Sequence, residues 1–482
     1  MCHTERVYIK YFRLTTSCCA RTERRARCWL SAHRLPAHRH NLLHMNLLRP
    51  SLRARRAAGA VVERVVETYL KPGVLNLAPG SVGFVPPKEI FAAHDVSMMS
   101  NHRYGACIGE TRLLSALRHK FEHENELDLA NRDIVVTPGA NLAFVLALLA
   151  TCDVGDEVVL FAPYYFSHLV AIQLLGLTPL VLPSDASTGA PDLEALRAAG
   201  LGQHQRIRAV VHVNPGNPSG AVSSPGVTAE LMSICAERGA WLLSDEAYEH
   251  FTYGGDAPFV SAGSVSCKPA LAPCVLHLHT FSKSYGMAGW RVGSLCYPQH
   301  LHDAILKAQD TLPTHATRFS QEIAARALEE LGTQWVRDQV QQLQPARSRL
   351  WDAARPLYDA AATALASTAS DGGADTAAPS ATTRKLQPPR QPLGAFYYML
   401  PLPPHIEEEE AVRLLAQRHG LLVLPGSAFG AEGKLRLAYG CLDGEEQVAQ
   451  AGTRLERGVG DLLERSERAA RGRVTGHANP ST

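Results

Sequence analysis

The sequence predicts an α/β protein whose main part is a doubly wound, mostly parallel sheet. From about residue 131, short runs rich in Val, Leu and Ile alternate with stretches of helical periodicity. Gly and Pro clusters follow several of these runs, as expected for loops at the ends of parallel strands. The length of 482 residues, with 46% hydrophobic residues, allows two domains with large cores.

The strand-like runs are short and apolar, which favours strands buried on both faces of a sheet. They lie at residues 133–137, 157–161, 179–182, 208–213, 241–244, 275–279 and 291–296. Helix-like stretches between them include residues 141–150 and 229–237. Because such sheets bind ligands where their strands end, we expect the chemistry at the carboxyl ends of these strands.

A smaller α+β unit is predicted to complete the protein. Amphipathic stretches at 321–331 and 334–357 predict long helices, and the later pattern predicts another helix and three strands. These last elements are expected at residues 408–419, 394–400, 421–424 and 434–439. The expected domains are a large one over 93–311 and a small one over 58–92 and 312–470. Residues 363–392 have almost no large apolar side chain, so a disordered insertion is expected there.

Residues 1–57 form a basic leader. The first 60 residues hold thirteen Lys and Arg and two acids, whereas the rest of the chain holds 35 basic and 44 acidic side chains. The leader is rich in Arg, His, Ser and Cys without a long apolar segment, which is typical of an organellar transit peptide. Two alternatives stay open: translation starts at Met45, or the leader is a disordered basic tail. A transit peptide would direct the protein to a chloroplast or mitochondrion; otherwise we expect a cytoplasmic protein.

Charge and composition argue against several classes of protein. The mildly acidic body does not suit nucleic acid, whose binding proteins present clustered basic faces. The longest apolar run, residues 142–152, is about half the ~20 residues of a membrane-spanning helix. Eleven cysteines without a CxxC pair indicate reduced thiols rather than a disulfide framework or a zinc site. His119 and His123 have metal-like spacing but no third ligand nearby, so we expect no metal site.

Four motifs follow one another in a fixed order along the chain. They are VTPGANLAF (136–144), NPGNPSG (214–220), SDEAY (244–248) and TFSKSYGMAGWRVG (280–293). Together they resemble the pyridoxal-phosphate site of class I/II aminotransferases of fold type I, over roughly residues 58–465. With CDVGDEVVLFAPYYF (152–166), their wording is most similar to the plant aromatic-amino-acid and methionine aminotransferase group. The resemblance implies the fold of the fold-type I PLP-transferases.

The resemblance implies roles for residues around the cofactor ring. Lys283 would form a Schiff base with pyridoxal 5′-phosphate and then, once released, move the α-proton of the substrate. Asp245, after an apolar strand, would pair with the pyridinium nitrogen, although an aspartate here can also cap a helix. Tyr248 and Asn217 would hydrogen-bond to the 3-oxygen of the cofactor. Asn217 also lies in a Gly/Pro-rich turn, where asparagine is common for conformational reasons alone.

Further residues would bind the cofactor phosphate and stack on its ring. The amides of Ala140 and Asn141 begin a helix after a strand, and Thr280 and Arg291 would add a hydroxyl and a bidentate charge. Tyr104 resembles a tyrosine that reaches the phosphate from the neighbouring subunit, which implies a homodimer. For stacking on the ring, Tyr165 matches the family position; Tyr164 is its rival, and both could simply be core aromatics.

The substrate carboxylate would be bound by three groups. Arg436 in KLRLAYG matches the arginine of the family that clamps this carboxylate, and its fork of donors suits that role. Asn217 would assist it, and the segment LAPGSVG would offer a backbone N–H, assigned to Gly83.

The sequence therefore predicts an aminotransferase that moves nitrogen from an L-amino acid to a 2-oxo acid in a ping-pong cycle. The resemblance favours aromatic amino acids or methionine as donors. An alternative is another fold-type I enzyme, such as an aminocyclopropane-carboxylate synthase-like or β-eliminating lyase. A non-enzymatic regulator with a DNA-binding head is a more distant alternative, because the leader lacks helix-turn-helix periodicity.

Overall fold

The structure, a computed structural model, describes residues 49–92, 102–185, 187–199, 206–254, 259–370 and 390–475. The predicted leader lies outside the described residues up to residue 48, and most of the predicted insertion, residues 371–389, also does. From Arg56 onward the described chain belongs to one compact unit, and residues 49–55 belong to a separate one. The predicted domain boundaries stay predictions.

Fifteen α-helices occur in the described ranges. They are α1 Leu52–Arg56, α2 Val61–Tyr69, α3 Glu89–Ala92, α4 Thr111–His123, α5 Ala140–Thr151, α6 Phe166–Leu174, α7 Leu193–Ala199, α8 Pro225–Glu237, α9 Phe281–Ser284, α10 His302–Thr311, α11 Arg318–Arg326, α12 Gly332–Gln341, α13 Gln344–Ser370, α14 Glu408–Arg418 and α15 Gly444–Thr475. A single π-helical turn at Ala327–Leu331 continues α11.

A seven-stranded sheet forms the centre of the fold, as predicted. Its strands are β2 Arg132–Thr137, β3 Glu157–Ala162, β4 Thr178–Pro183, β5 Ile207–Val213, β6 Trp241–Asp245, β7 Val275–Thr280 and β8 Gly293–Pro298. Their spatial order is β2-β8-β7-β6-β5-β3-β4, and only β8 runs antiparallel to its neighbours. The carboxyl ends of the six parallel strands therefore meet at one edge of the sheet.

Helices cover both faces of this sheet, because its strands are apolar on both sides. In β3, Val158 and Leu160 join a core that includes Phe144 of α5. The alternate residues Val159 and Phe161 belong to a second core, which includes Leu231 of α8. This alternation confirms the doubly wound arrangement, since successive side chains of a strand point to opposite faces.

Two smaller sheets complete the fold. An antiparallel sheet has the order β11-β12-β9, and a parallel pair joins β1 to β10. Their strands are β1 Leu75–Asn76, β9 Tyr397–Pro401, β10 Leu421–Leu422, β11 Leu424–Pro425 and β12 Lys434–Ala438. Because β1 pairs with β10, the N-terminal part of the described chain joins elements that follow it by more than 300 residues.

Several predicted boundaries are wrong, and the single strand expected at 421–424 is divided between β10 and β11, which belong to two different sheets. The disordered insertion is expected to begin at residue 363, but residues 363–370 continue α13, because they extend the alanine-rich run 360–366, which has high helix propensity. The long helix expected at 334–357 is divided between α12 and α13. The last strand of the large sheet begins at Gly293 rather than at residue 291, and β9 begins at Tyr397 rather than at residue 394.

All seven cysteines within the described ranges are free thiols. In the same ranges, no helix is both long and apolar enough to span a bilayer.

Candidate active site

A cavity of about 240 Å³ opens at the carboxyl edge of the large sheet, beside β9 and β12. The structure brings to it every sequence-predicted site residue except Tyr104 and Gly83. The predicted residues that line it are Ala140, Asn141, Tyr165, Asn217, Asp245, Tyr248, Thr280, Lys283, Arg291 and Arg436. Most follow the ends of β2, β3, β5, β6 and β7, whereas Arg291 precedes β8 and Arg436 lies in β12. Residues distant in sequence therefore share one site.

Lys283 lies in the short helix α9 with its side chain directed into the cavity. Its Nζ donates a hydrogen bond to the carbonyl oxygen of Gly80. Burial, together with the positive charges of Arg291 and Arg436, lowers the pKa of Lys283 to about 8. At pH 7 about a tenth of this amine is therefore unprotonated, far more than of an unperturbed lysine, and the unprotonated form is the one that acts as a nucleophile or a base.

Asp245 is the last residue of β6, and its carboxylate is held from two sides. Oδ1 accepts a hydrogen bond from the backbone N–H of Ala247 at 3.1 Å. Oδ2 lies 3.3 Å from Nε2 of His168, and both side chains are buried. A turn rather than a helix follows Asp245, so the helix-cap interpretation is wrong and the carboxylate is available in the cavity.

Asn217 and Tyr248 contact each other across the cavity. Nδ2 of Asn217 donates to the hydroxyl of Tyr248 at 3.3 Å, while its Oδ1 accepts from Nη1 of Arg436 at 3.1 Å. Burial, reinforced by the neighbouring hydroxyl of Tyr397, raises the pKa of Tyr248 well above its usual value. Tyr248 is therefore a protonated hydroxyl at neutral pH and can donate a hydrogen bond.

The N-terminus of α5 faces the side chain of Arg291. Gly139 precedes α5 with φ of +82°, a conformation that glycine adopts without strain. A Cβ on Gly139 would lie 2.5 Å from Nη2 of Arg291, so the glycine leaves room for the guanidinium. The first amides of the helix, at Ala140 and Asn141, have no partners within the helix. Amides and guanidinium together form a cradle for an anion.

Two hydroxyls complete this cradle. Oγ1 of Thr280 accepts a hydrogen bond from the backbone N–H of Ser282 at 3.2 Å and donates to Oγ of Ser282 at 2.9 Å. Both residues line the cavity. Because the same contact caps α9, the hydroxyl pair is fixed by the turn that presents Lys283.

The structure distinguishes the two neighbouring tyrosines. Tyr165 lines the cavity, and its ring meets His168 edge to face at 5.1 Å between centroids. Tyr164 is not among the residues that line this cavity; its ring lies close to Gly430. Tyr165 is therefore the aromatic placed to stack on a ligand ring.

Arg436 projects from β12 between two aromatic rings. Its guanidinium carbon lies 4.7 Å from the ring centroid of Tyr397 and 4.6 Å from that of Phe429. Nη2 donates to the carbonyl oxygen of Ala78, while Nε is buried without a hydrogen-bond partner among the described residues. Cation–π contacts thus fix the plane of a guanidinium that is suited to bind a carboxylate.

The prediction for Gly83 is wrong. Its N–H donates to the carbonyl oxygen of Gly440 at 2.8 Å, and a Cβ here would lie 3.1 Å from the carbonyl oxygen of Leu442. The N–H is therefore already used, and Gly83 does not line the cavity; Gly80 of the same segment does.

Tyr104 lies outside the cavity of its own chain. Its side chain is 86% exposed, and its ring edge faces His315 at 6.0 Å between centroids. The sequence prediction assigned Tyr104 to the site of a neighbouring subunit, which one chain does not test.

A buried polar cluster lies next to the site. Ligand atoms of Glu246, Glu249 and His279 lie within 4.8 Å of one another, as they could around a metal ion. However, Nζ of Lys120 lies 2.9 Å from the carboxylate of Glu249. Burial alone would raise the pKa of Glu249, but Lys120, together with the neighbouring His250 and His279, lowers it well below its usual value. Glu246 accepts hydrogen bonds from Ser261 and other groups, and burial raises its pKa. Protein groups therefore already compensate both carboxylates.

Sequence reasoning missed three residues of the site. His168 follows Tyr165 by three positions, so helical spacing on α6 could have placed it at the same edge. Ser282 precedes the lysine, and Tyr397 lies in the aromatic run 396–398, where strand alternation makes its direction ambiguous. The roles of these residues depend on contacts across the fold that no local pattern encodes.

A family model for aminotransferases of class I and II matches residues 72–455 of the chain. The chain belongs to this family. The aminotransferase is 33% identical over 399 residues to an aromatic aminotransferase of Arabidopsis thaliana, covering 81% of this chain and 90% of that protein. It is 30% identical to a probable aspartate/prephenate aminotransferase of Aquifex aeolicus, covering 75% of this chain and 84% of that protein. The crystal structure of an aspartate aminotransferase from Rhizobium meliloti matches with a TM-score of 0.71 and 26% identity, covering 86% of this chain and 99% of that one.

Enzymes of this family depend on pyridoxal 5′-phosphate, and the cavity of the aminotransferase fits that cofactor. The aldehyde of the cofactor requires an amine with a lowered pKa to form a Schiff base, and Lys283 provides one. A phosphate requires an anion cradle, which Arg291 and the start of α5 form around Gly139. A pyridine nitrogen requires an acidic partner, and the buried carboxylate of Asp245 lies on the same cavity.

Proposed function

We propose that this aminotransferase takes the amino group of a large apolar L-amino acid, aromatic or methionine, and transfers it to a 2-oxo acid. The observation that carries the proposal is an apolar pocket of about 130 Å³ next to the cavity, with which it shares Val62 and Phe166. Its lining residues carry no charged side chain; they are Ala58, Gly59, Val61, Val62, Tyr164, Phe166, Leu169, Val170, Ser427 and Ala428. Such a lining favours apolar side chains over carboxylates, which would lose hydration without a partner.

A dicarboxylic amino acid is the second candidate donor. Relatives include a probable aspartate/prephenate aminotransferase and aspartate aminotransferases. Around the cavity itself, the basic side chains among the lining residues are Lys283, Arg291 and Arg436. In our assignment these three bind the aldehyde, the phosphate and the α-carboxylate, which leaves none of them for a second carboxylate.

The cofactor supplies an electron sink for the charge that develops when the α-carbon of the amino acid loses a proton. Arg436 binds the substrate carboxylate through its fork of N–H donors. The amine of Lys283 accepts the proton from the α-carbon and returns it later in the nitrogen transfer. Its pKa of about 8 allows both the protonated and the unprotonated amine near neutral pH. Asp245, supported by His168, provides the negative charge opposite the protonated ring nitrogen. Tyr248 and Asn217 donate hydrogen bonds to the ring oxygen.

We further propose that the enzyme acts as a homodimer in which Tyr104 completes the phosphate cradle of the partner copy. The side chain of Tyr104 is 86% exposed and lies outside the cavity of its own chain, and its hydroxyl could donate to a phosphate. Sedimentation of the purified enzyme should give twice the chain mass of 52.3 kDa. A monomeric, active enzyme would overturn this assignment.

The donor preference is tested with purified, cofactor-loaded enzyme. Absorbance is recorded while L-phenylalanine, L-methionine, L-aspartate or L-alanine is added, and a 2-oxo acid is then supplied. We expect phenylalanine or methionine to convert the cofactor band at the lowest concentration and the 2-oxo acid to restore it. A preference for aspartate would favour the dicarboxylate alternative, and ammonia release without an oxo acid would indicate a lyase.

A matched pair of variants ties the preference to the pocket. Leu169→Ala enlarges the apolar pocket and should raise the KM for phenylalanine by about tenfold or more, with less effect on alanine. Leu149→Ala removes the same group from an exposed position on α5 and should leave both values unchanged. Equal effects of the two variants would show that the pocket does not receive the substrate side chain.

A further inference from the structure

Tyr397 is a residue of the cavity to which neither the sequence motifs nor the proposed mechanism gives a role. It begins β9 on the antiparallel sheet, is fully buried, and lines the cavity. On β12, Ala438 pairs directly with Tyr397, and Arg436 pairs with Met399, the next residue on the same face of β9. The strand register therefore places the phenol ring and the guanidinium side by side.

The hydroxyl of Tyr397 lies 2.6 Å from the hydroxyl of Tyr248. Either oxygen could donate in this bond, but their surroundings differ. The hydroxyl of Tyr248 also accepts from Asn217, whereas the contacts of the described chain give the hydroxyl of Tyr397 no partner besides Tyr248. A phenol oxygen has one proton and two acceptor sites. If Tyr397 and Asn217 both donate to Tyr248, the proton of Tyr248 stays available for a ligand in the cavity.

The ring of Tyr397 makes a separate contribution. It lies against one face of the Arg436 guanidinium at 4.7 Å from ring centroid to carbon, with Phe429 on the other side. An aromatic face at this distance holds the guanidinium plane in place. Hydroxyl and ring thus act on two different groups of the site.

Close packing fixes the position of this side chain. A Cβ on Gly80 would lie 2.5 Å from the hydroxyl of Tyr397, so only glycine allows the approach. The carbonyl of the same Gly80 accepts the hydrogen bond from Lys283. The hydroxyl is therefore packed against the backbone that holds the lysine.

We infer that Tyr397 is a positioning residue with two separable functions. Its hydroxyl donates to Tyr248 and directs the proton of Tyr248 toward the ring oxygen of the cofactor. Its ring orients Arg436 for the substrate carboxylate. This inference rests on the proposed roles of Tyr248 and Arg436 and extends them to a third side chain.

Two substitutions separate the functions. Tyr397→Phe removes only the hydroxyl, and Tyr397→Leu removes the hydroxyl and the ring. Tyr398→Phe is the matched control, because the hydroxyl of Tyr398 bonds to Gln391 and to the carbonyl of Arg347 rather than to the site. The first readout is the pH titration of the visible absorbance of the cofactor-loaded protein. The second is the dissociation constant of 3-phenylpropionate, a carboxylate without an amino group.

We expect Tyr397→Phe to raise the midpoint of the absorbance titration by about half a unit or more, as the loss of one hydrogen bond would. Binding of 3-phenylpropionate should change less than about twofold in this variant. Tyr397→Leu should shift the midpoint similarly and raise the dissociation constant of 3-phenylpropionate by about fivefold or more. Tyr398→Phe should match wild type in both readouts.

A titration midpoint in Tyr397→Phe equal to that of Tyr398→Phe would overturn the role of the hydroxyl. Wild-type affinity for 3-phenylpropionate in Tyr397→Leu would overturn the role of the ring. Both failures are distinct from failure of the proposed function, in which the wild-type protein itself would show no titrating cofactor band or no transamination.

Discussion

Replacing Lys283 by methionine should stabilise the cofactor-free protein at pH 7, although it removes the central residue of the site. Burial and the charges of Arg291 and Arg436 lower the pKa of Lys283 from 10.5 to about 8. At about 1.4 kcal/mol per pKa unit, the folded state then pays up to about 3 kcal/mol to keep this amine protonated. The variant also loses the hydrogen bond to Gly80, which lowers its stability by about 1 kcal/mol. The expected net gain is therefore about 2 kcal/mol in the free energy of unfolding.

The pH dependence has a definite sign. Below pH 8 the lysine is protonated in the folded and unfolded states, so the penalty is fully present. Between pH 8 and pH 10.5 the unfolded chain binds more protons than the folded one, and the wild type gains stability relative to the variant as the pH rises. Above pH 10.5 the amine is neutral in both states, and Lys283→Met should be the less stable protein by about 1 kcal/mol, because it lacks the hydrogen bond.

Urea unfolding of the cofactor-free protein at pH 7, 9 and 11, in buffers without phosphate or sulfate, measures this dependence. Lys307→Met is the matched control, because Lys307 is exposed on α10; it should show no such reversal with pH. A Lys283→Met variant that is less stable than wild type at pH 7 would refute the reasoning from burial and charge.

Three substitutions test the assignment of the site. Gly139→Ala places a Cβ 2.5 Å from Nη2 of Arg291 and should weaken cofactor binding by about tenfold or more, measured by equilibrium dialysis. Arg436→Lys replaces a fork of donors by a point charge and should raise the KM for the amino acid by about tenfold or more, with a smaller change in kcat. Asp245→Asn removes the charge opposite the ring nitrogen and should lower kcat by at least about a hundredfold in steady-state assays.

Each of these predictions has a control variant or a result that would contradict it. Gly433→Ala also introduces a Cβ at positive φ, +72°, but with no atom within 4 Å, so cofactor binding should be unchanged. Equal cofactor affinities of Gly139→Ala and Gly433→Ala would contradict the assignment of Arg291 to the phosphate cradle. An unchanged KM in Arg436→Lys would contradict carboxylate binding there, and a wild-type kcat in Asp245→Asn would contradict its pairing with the ring.

Most of the site could be predicted because its residues follow strands in short, recognisable motifs. Asp245 directly ends an apolar strand, and the turn that presents Lys283 begins where β7 ends. Parallel strands bring these ends together, so pattern and topology predicted the shared edge, and the family resemblance then assigned the individual roles. Lys283 and Asp245 lie 38 positions apart in sequence and still line one cavity.

The errors have a different origin. The role assigned to Gly83 was wrong because its N–H is taken by Gly440, a partner more than 350 residues away that no local pattern reveals. His168 and Tyr397 were missed because they touch other side chains of the site rather than belong to its motifs. Residues 363–370 were misassigned because their lack of large apolar residues was weighed above the helix propensity of alanine.

The two sheets supply different halves of the active site. Asp245, Thr280 and Lys283 stand at the edge of the seven-stranded sheet, whereas Tyr397 and Arg436 belong to the three-stranded one. In our assignment the first set would bind a cofactor that never changes, and the second set would bind the α-carboxylate that every donor shares. Neither set lines the apolar pocket, so the residues of that pocket can change while the reaction itself is conserved. An engineer who wants a new donor amino acid should randomise pocket residues such as Leu169 and Val170 and leave both sets untouched.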